Sequence, residues 1–146
     1  MKGNLKVMKG FTLIEILVTI VILVILAGIT IVALNPGQNI DDANDAVRRA
    51  DVNTILNAVW QYAVDNDGAL PAEITAATEA ISNAAANICA DIVDEYIAEV
   101  PADPTTGSYT DCATYASGYT ISRNAAGTRV TVNATLSDAT TYSQTR

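Results

Sequence analysis

The sequence predicts an α+β protein, in which the second half of a long amino-terminal α-helix packs against a small carboxy-terminal antiparallel β-sheet. Three patterns support this fold class. An apolar run occupies residues 11–34, apolar residues at helical spacing continue to residue 66, and apolar and polar residues alternate between residues 115 and 136. The 146 residues suffice for one domain and one membrane segment.

The apolar run is long enough to cross a membrane as a helix. Of its 24 residues, 19 are apolar. At about 1.5 Å per residue the run reaches about 36 Å, and the hydrocarbon core of a bilayer is about 30 Å thick. It shows no polar stripe, and it exceeds the apolar region of about 7–15 residues that an ordinary secretory signal carries. The run therefore predicts a transmembrane helix.

Charge on the two sides of the run predicts its orientation. Three lysines stand within residues 1–9, no lysine follows the run, and the first charged residues beyond it are Asp41 and Asp42. Because positively charged flanks stay on the cytoplasmic side, the leader is expected inside and the remainder of the chain outside.

The junction between the leader and the run, Lys9-Gly10-Phe11-Thr12-Leu13-Ile14-Glu15, resembles the class III signal and amino-terminal helix of type IV pilins and pseudopilins. The resemblance is specific over residues 9–27 and general beyond them. It implies that a prepilin peptidase cuts between Gly10 and Phe11, and that the new amine of Phe11 is methylated.

The expected organisation has four parts. Residues 1–10 are the leader peptide, residues 11–34 the transmembrane and assembly helix, and residues 35–66 the exported half of the long helix. Residues 67–146 form the globular region that contains the sheet.

Glu15 is the carboxylate within the apolar run. A charged side chain at membrane depth costs about 2.5–3.5 kcal/mol, so it is a functional-site hypothesis by default. We interpret Glu15 as an assembly residue that pairs with the amine of Phe11 in a neighbouring subunit and so fixes the axial register, the role that the resemblance also implies. The alternative is that its carboxylate only extends to the cytoplasmic headgroups.

Many relatives carry a proline within this helix, where it unwinds after assembly. Residues 11–34 contain none, and the nearest helix-weakening residues are Gly28 and Pro36. Any segment of the helix that unwinds is therefore expected near one of these two residues, or is absent.

Asn35-Pro36-Gly37 is expected to interrupt the first helix, either as a break or as a kink. Beyond it a second helical pattern runs to Asn66, with Val47, Ile55 and Val59 on its apolar face. Arg48 and Arg49 are expected on a solvated face. Asp65-Asn66-Asp67-Gly68 predicts the end of the helix.

The later elements follow from composition. Residues 74–86 are expected to be helix or loop, with helix the preferred reading, and residues 89–99 are expected to be helical. Residues 101–107 form a turn-rich connector with two prolines and a glycine. Two strands joined by a four-residue loop at 124–127 are then expected, with Ile121 opposite Val130.

Cys89 and Cys112 both lie in the exported part. In an oxidising compartment such a pair usually forms a disulfide, and we predict one. Two free buried thiols are the alternative reading.

Composition excludes several classes of function. The chain has no histidine, and residues 35–146 carry a net charge of −10, which argues against a nucleic-acid partner. Neither Asp65-Asn66-Asp67-Gly68 nor the single carboxylate of Ser137-Asp138 provides the ligands of a calcium loop. We expect no enzymatic activity, no catalytic residue, no metal and no cofactor.

The expected function is a structural subunit of a type IV pilus-like filament. Its partners are further copies of itself, the prepilin peptidase and the filament assembly machinery. It is expected in the inner membrane before assembly and at the cell surface afterwards. Two alternatives are a major pseudopilin of a type II secretion system and a membrane-anchored binding module that never polymerises.

Overall fold

The computed structural model describes residues 10–146, except for the side chains of residues 32–34. The predicted leader, apart from Gly10, lies outside the described residues. The described residues divide into two compact units, which meet between residues 39 and 40. The predicted α+β class is confirmed, since long helices are followed by an antiparallel sheet of five strands.

The first unit contains helix α1, Leu13–Leu34. It ends because Asn35 adopts a left-handed conformation, with φ of 38°. The next helix, α2, begins at Pro36 and extends to Asp65. Proline is well suited to a first helical position, where its missing N–H leaves no hydrogen bond unmade. The interruption predicted at Asn35-Pro36-Gly37 is therefore a break in the helix.

The face of α2 that packs in the second unit differs from the predicted one. The buried residues on the helix are Arg48, Val52, Ile55, Leu56, Ala58, Val59 and Ala63. Val47 was expected among them but remains 45% exposed. Its neighbour Arg48 occupies the inward position at helical spacing from Val52 and Ile55, so an ionic side chain stands where an aliphatic one was expected.

The end of α2 agrees with the prediction. Gly68 has φ of 87°, and its N–H donates to the carbonyl of Ala63 at 2.7 Å. A left-handed glycine of this kind satisfies carbonyl groups that the last helical turn leaves free.

The sheet consists of β1 (Glu79–Ser82), β2 (Ser108–Asp111), β3 (Thr114–Arg123), β4 (Val130–Thr135) and β5 (Thr141–Thr145). Its strand order is β1-β3-β4-β5, and β2 also pairs with β3. All pairings are antiparallel. Alternate residues of β3 and β4 face α2, and the largest of them, Tyr119 and Ile121, are only 1% exposed.

Two predicted helices are wrong. The segment 74–86 contains β1, because Ile81 is fully buried and the strand pairs with β3. Tertiary pairing thus overrides the helical preference of its alanines. The helix expected over 89–99 is only Cys89–Ile92, which we label α3; it stops because Val93 is extended and Asp94 has φ of 71°.

The hairpin between β3 and β4 is predicted correctly in its strands but not in its register. Ile121 pairs with Val132 rather than with Val130, which lies opposite Arg123. A shift of two residues keeps every side chain on its face of the sheet. The loop therefore spans residues 124–129, and Arg129 lies in the loop rather than on the strand where the predicted register placed it.

Candidate functional site

The amino-terminal end of α1 brings together the residues of the predicted processing and assembly site. Thr12 caps the helix in an extended conformation, and its side-chain oxygen accepts the backbone N–H of Glu15 at 3.2 Å. Phe11 precedes the cap and is 78% exposed, and nothing lies within 4 Å of the space that a Cβ on Gly10 would occupy. The junction predicted to be cut is thus an extended, accessible backbone segment just before a helix.

Glu15 is the third residue of α1. Its spacing from Thr12 is that of a capping box, in which threonine and glutamate at this distance stabilise a helix start. A negative charge in the first turn also interacts favourably with the helix dipole. The sequence pattern Thr-x-x-Glu was the signal that could have identified Thr12 as part of this site.

The Glu15 carboxylate itself is free. Within residues 10–146 its side chain has neither a hydrogen bond nor an ion pair. The Thr12 hydroxyl accepts the backbone N–H of Glu15, but the reciprocal bond of a capping box, from the glutamate side chain, is not made. The charge of Glu15 is therefore available to a cation from another molecule.

The surface of α1 is apolar on all sides. Residues 13–31 have a mean hydropathy of 2.9, and none of this span is buried. Leu13, for example, is 85% exposed. The hydroxyls of Thr19 and Thr30 donate to the carbonyls of Glu15 and Leu26, each at 2.7 Å. Because these hydroxyls are satisfied within the helix, they need no water, as a helix in a lipid core requires.

A second cluster of charged residues lies in the second unit, residues 40–146, around Arg48. Its Nε donates to Oδ2 of Asp103 at 2.6 Å, and its Nη1 donates to Oδ1 of Asp45 at 2.7 Å. Nη1 also donates to the hydroxyl of Ser137 at 2.9 Å, and Nη2 donates to that of Thr105 at 2.8 Å. Arg48 and Asp103 are each 5% exposed, so the expectation of a solvated Arg48 is wrong.

This cluster fixes the protonation of its members. Burial alone raises the pKa of Asp103, but the hydrogen bonds from Arg48 and from Thr105 outweigh burial and hold that pKa well below its usual range. The hydrogen bond with Asp103 likewise raises the pKa of Arg48. The cluster is therefore ionised throughout the physiological range, and it joins α2 to the connector (residues 101–107) and to the turn after β4.

The connector packs very closely against β3. A Cβ on Gly107 would overlap the backbone nitrogen of Asp103 and the carbonyl oxygen of Ser117. Glycine at this position permits the Asp103 N–H to donate to the Ser117 carbonyl at 2.7 Å.

Cys89 and Cys112 are joined in a disulfide, with their Cα atoms 5.3 Å apart. The bond links the first residue of α3 to the turn between β2 and β3. Within residues 10–146, no group of three or more histidine, cysteine, aspartate or glutamate side chains is arranged to hold a metal ion.

A family model described as the prokaryotic N-terminal methylation motif matches residues 5–31. No curated protein and no solved structure matches the chain. The matched segment contains Gly10, Phe11 and Glu15, the residues of the predicted processing and assembly site, and most of α1.

Proposed function

We propose that this chain is the structural subunit of a type IV pilus-like filament. The proposal is supported by residues 5–31, which form a class III signal of the type IV pilin and pseudopilin type. The observation that carries the proposal is the uncovered apolar surface of α1, interrupted near its start by the free carboxylate of Glu15. Such a helix needs either lipid or the helices of other subunits around it. It is anchored in the inner membrane first and packs with other copies in the extracellular filament afterwards.

Processing prepares the assembly site. The prepilin peptidase cuts after Gly10 on the cytoplasmic side, which removes the three lysines of the leader. The new amine belongs to Phe11, which directly precedes the helix cap Thr12. Methylation of the amine leaves a basic nitrogen, so a positive charge remains at the end of the helix.

Glu15 then receives that charge from a neighbouring subunit. Opposite charges attract strongly where water is excluded, although desolvation offsets most of the gain in stability. Their value lies in specificity, because apolar helices alone have many near-equivalent axial registers and a single polar pair selects one of them. Glu15 is thus a register residue.

A major pseudopilin of a type II secretion system is the second candidate, because its amino-terminal motif is the same. The turn after β4 supplies a distinguishing observation. Relatives of that type usually carry an acidic calcium loop near the carboxy terminus, whereas here the carboxylate of Asp138 accepts the N–H and hydroxyl of Thr140, at 2.9 and 2.6 Å. This use of the carboxylate within the turn favours a pilin.

Electron microscopy of sheared surface material, combined with the intact mass of the subunit, tests the proposal. We expect filaments whose subunit lacks residues 1–10. Processed subunit without surface filaments would favour the pseudopilin. A subunit that keeps Met1 or Lys2 would contradict both and favour a membrane-anchored binding module.

A further inference from the structure

The second unit, residues 40–146, is the exported part of the proposed filament subunit, and we call it the exported unit. Two of its arginines are free among the described residues, although acidic residues predominate there. Arg48 forms ion pairs, Arg146 donates to Oδ1 of Asn57 at 2.5 Å, and Arg49 lies over the ring of Tyr142 at 5.8 Å. The side chains of the other two have no hydrogen bond or ion pair within residues 10–146. These are Arg123 and Arg129, both exposed and both in the hairpin segment 123–129, which we call the arginine hairpin.

The arginine hairpin is held in one shape by its own hydrogen bonds. Oδ1 of Asn124 accepts the N–H of Thr128 at 2.8 Å and that of Arg129 at 3.1 Å. The N–H of Asn124 donates to the carbonyl of Arg129 at 2.9 Å. The two guanidinium groups are therefore carried on an ordered loop, which lowers the entropic cost of binding.

A polar cavity of about 520 Å³ lies elsewhere in the same unit, beside the Arg48–Asp103 ion pair. Its lining includes Asp41, Asn44, Thr106 and Ser137, and we call it the acidic pocket. The Asp41 carboxylate has no hydrogen bond or ion pair among the described residues. The charged residues of the lining are the carboxylates of Asp41 and Asp103 and the single cation Arg48, so the pocket carries an excess of one negative charge.

The hairpin and the pocket lie toward opposite ends of the unit. The start of β4, next to the hairpin, bonds to the backbone of Arg146, whose side chain reaches Asn57 of α2. The turn beyond the end of β4 instead bonds to Asp45, through Ser137. Asp45 and Asn57 are twelve residues apart on α2, or about 18 Å at 1.5 Å per residue. A subunit therefore cannot place its own hairpin in its own pocket.

We propose that the acidic pocket of one subunit binds the guanidinium groups of the arginine hairpin of a second subunit. Guanidinium is planar and donates several hydrogen bonds, which suits a cavity rich in carboxylate and hydroxyl oxygens. Because the two surfaces differ and lie at opposite ends, the contact is head to tail and repeats along an open assembly rather than closing a dimer. The inference rests on the proposed filament and adds a contact between exported units to the register contact at Glu15.

The first test measures filament yield in the native host. The Arg123→Gln/Arg129→Gln variant and the Asp41→Asn variant should each lower the yield of sheared filaments by about tenfold or more. The reason is that truncating one partner of a desolvated charge pair accelerates dissociation. Processed subunit in the membrane should stay at the normal level. Arg49→Gln is the control for loss of a positive charge at an exposed arginine outside the hairpin, and it should leave the yield unchanged.

The second test identifies the contact directly. A photo-crosslinking benzoylphenylalanine in place of Ala126, an exposed residue at the hairpin tip, keeps both arginines. In sheared filaments its crosslinks should join one subunit to segment 41–48 or 103–106 of another.

The outcomes separate the two proposals. Absence of wild-type filaments would overturn the proposed function and this contact with it. Normal filament yield from the double glutamine variant, or crosslinks that map only to other segments, would overturn this contact and leave the filament in place.

Discussion

Nε of Arg48 lies 2.6 Å from Oδ2 of Asp103, and this buried ion pair joins two positions 55 residues apart in the chain. One is in the first half of α2 and the other is in the connector that leads into the sheet. Asp103 also accepts the backbone N–H groups of Thr105 and Thr106, each at 2.9 Å. The pair thus determines where the connector lies on the helix.

Removing one partner of this pair should strongly destabilise the exported unit. Arg48→Gln leaves the buried Asp103 carboxylate without its counterion, which typically costs about 3–5 kcal/mol. Asp103→Asn should cost less, because Arg48 keeps its ion pair with Asp45. The free energy of unfolding can be measured by urea titration of the full chain in a nonionic detergent. Arg49→Gln is the matched control and should cost less than about 1 kcal/mol, since it loses one exposed contact with the Tyr142 ring. Equal effects of the Arg48 and Arg49 variants would contradict the structural role of the pair.

Acid should destabilise the protein through the same carboxylate. In the folded state the pKa of Asp103 lies below its ordinary value of 3.8. At a pH between these two pKa values, the Asp103 carboxyl is protonated in the unfolded chain but not in the folded one. Stability contributed by Asp103 is complete above about pH 4 and falls as the pH drops further. Asp51 acts in the opposite direction, because burial raises its pKa despite the hydrogen bond from Tyr119.

Unfolding transitions recorded between pH 7 and pH 2 can isolate the contribution of Asp103. Asp103→Asn should be less stable than the wild type at pH 7. Below pH 4 its free energy of unfolding should fall less steeply with pH, and the difference in slope should correspond to at most one bound proton. Parallel pH profiles of the wild type and the variant would show that other groups control acid unfolding.

The extent to which sequence predicts this molecule differs between its parts. The apolar helix α1, an interruption near Pro36 and the stop at Gly68 depend on local composition and backbone preference, so local patterns suffice. Whether the interruption is a break or a kink follows only from the left-handed conformation of Asn35. The strand β1 does not, because it lies within the alanine-rich segment 74–86 and becomes a strand only by pairing with β3. The sequence predicts a solvated Arg48, because apolar periodicity does not indicate a buried cation whose counterion lies far along the chain.

The candidate site shows the same division. Gly10, Phe11 and Glu15 are recognisable from contiguous residues, because the signal and the start of the helix are local. The arginine hairpin and the acidic pocket are not, because the hairpin register differs by two residues from the one that the apolar pattern favours, and the pocket combines α2, the connector and the turn after β4.

The disulfide should stabilise the exported unit. Its cysteines are 23 residues apart, and closing a loop of that size contributes about 3–4 kcal/mol in the chain-entropy model. Cys89→Ala/Cys112→Ala should lower the free energy of unfolding by about that amount. Peptide mapping without reductant should find the crosslink in native protein, whereas two freely alkylated thiols would disprove the pairing.

Glu15→Ala tests the central claim most directly. Removing the carboxylate should ease membrane insertion by up to about 2.5–3.5 kcal/mol, and the exported unit should keep its disulfide and its stability. Assembly should fail because the remaining apolar helix surface does not select one register. Glu15→Gln should be nearly as defective if charge, rather than hydrogen bonding, is what matters. The measurement is the yield of sheared filaments relative to processed subunit in the membrane. We expect processed, folded subunits with few or no filaments, and filaments at wild-type abundance from Glu15→Ala would contradict the proposed pairing with Phe11.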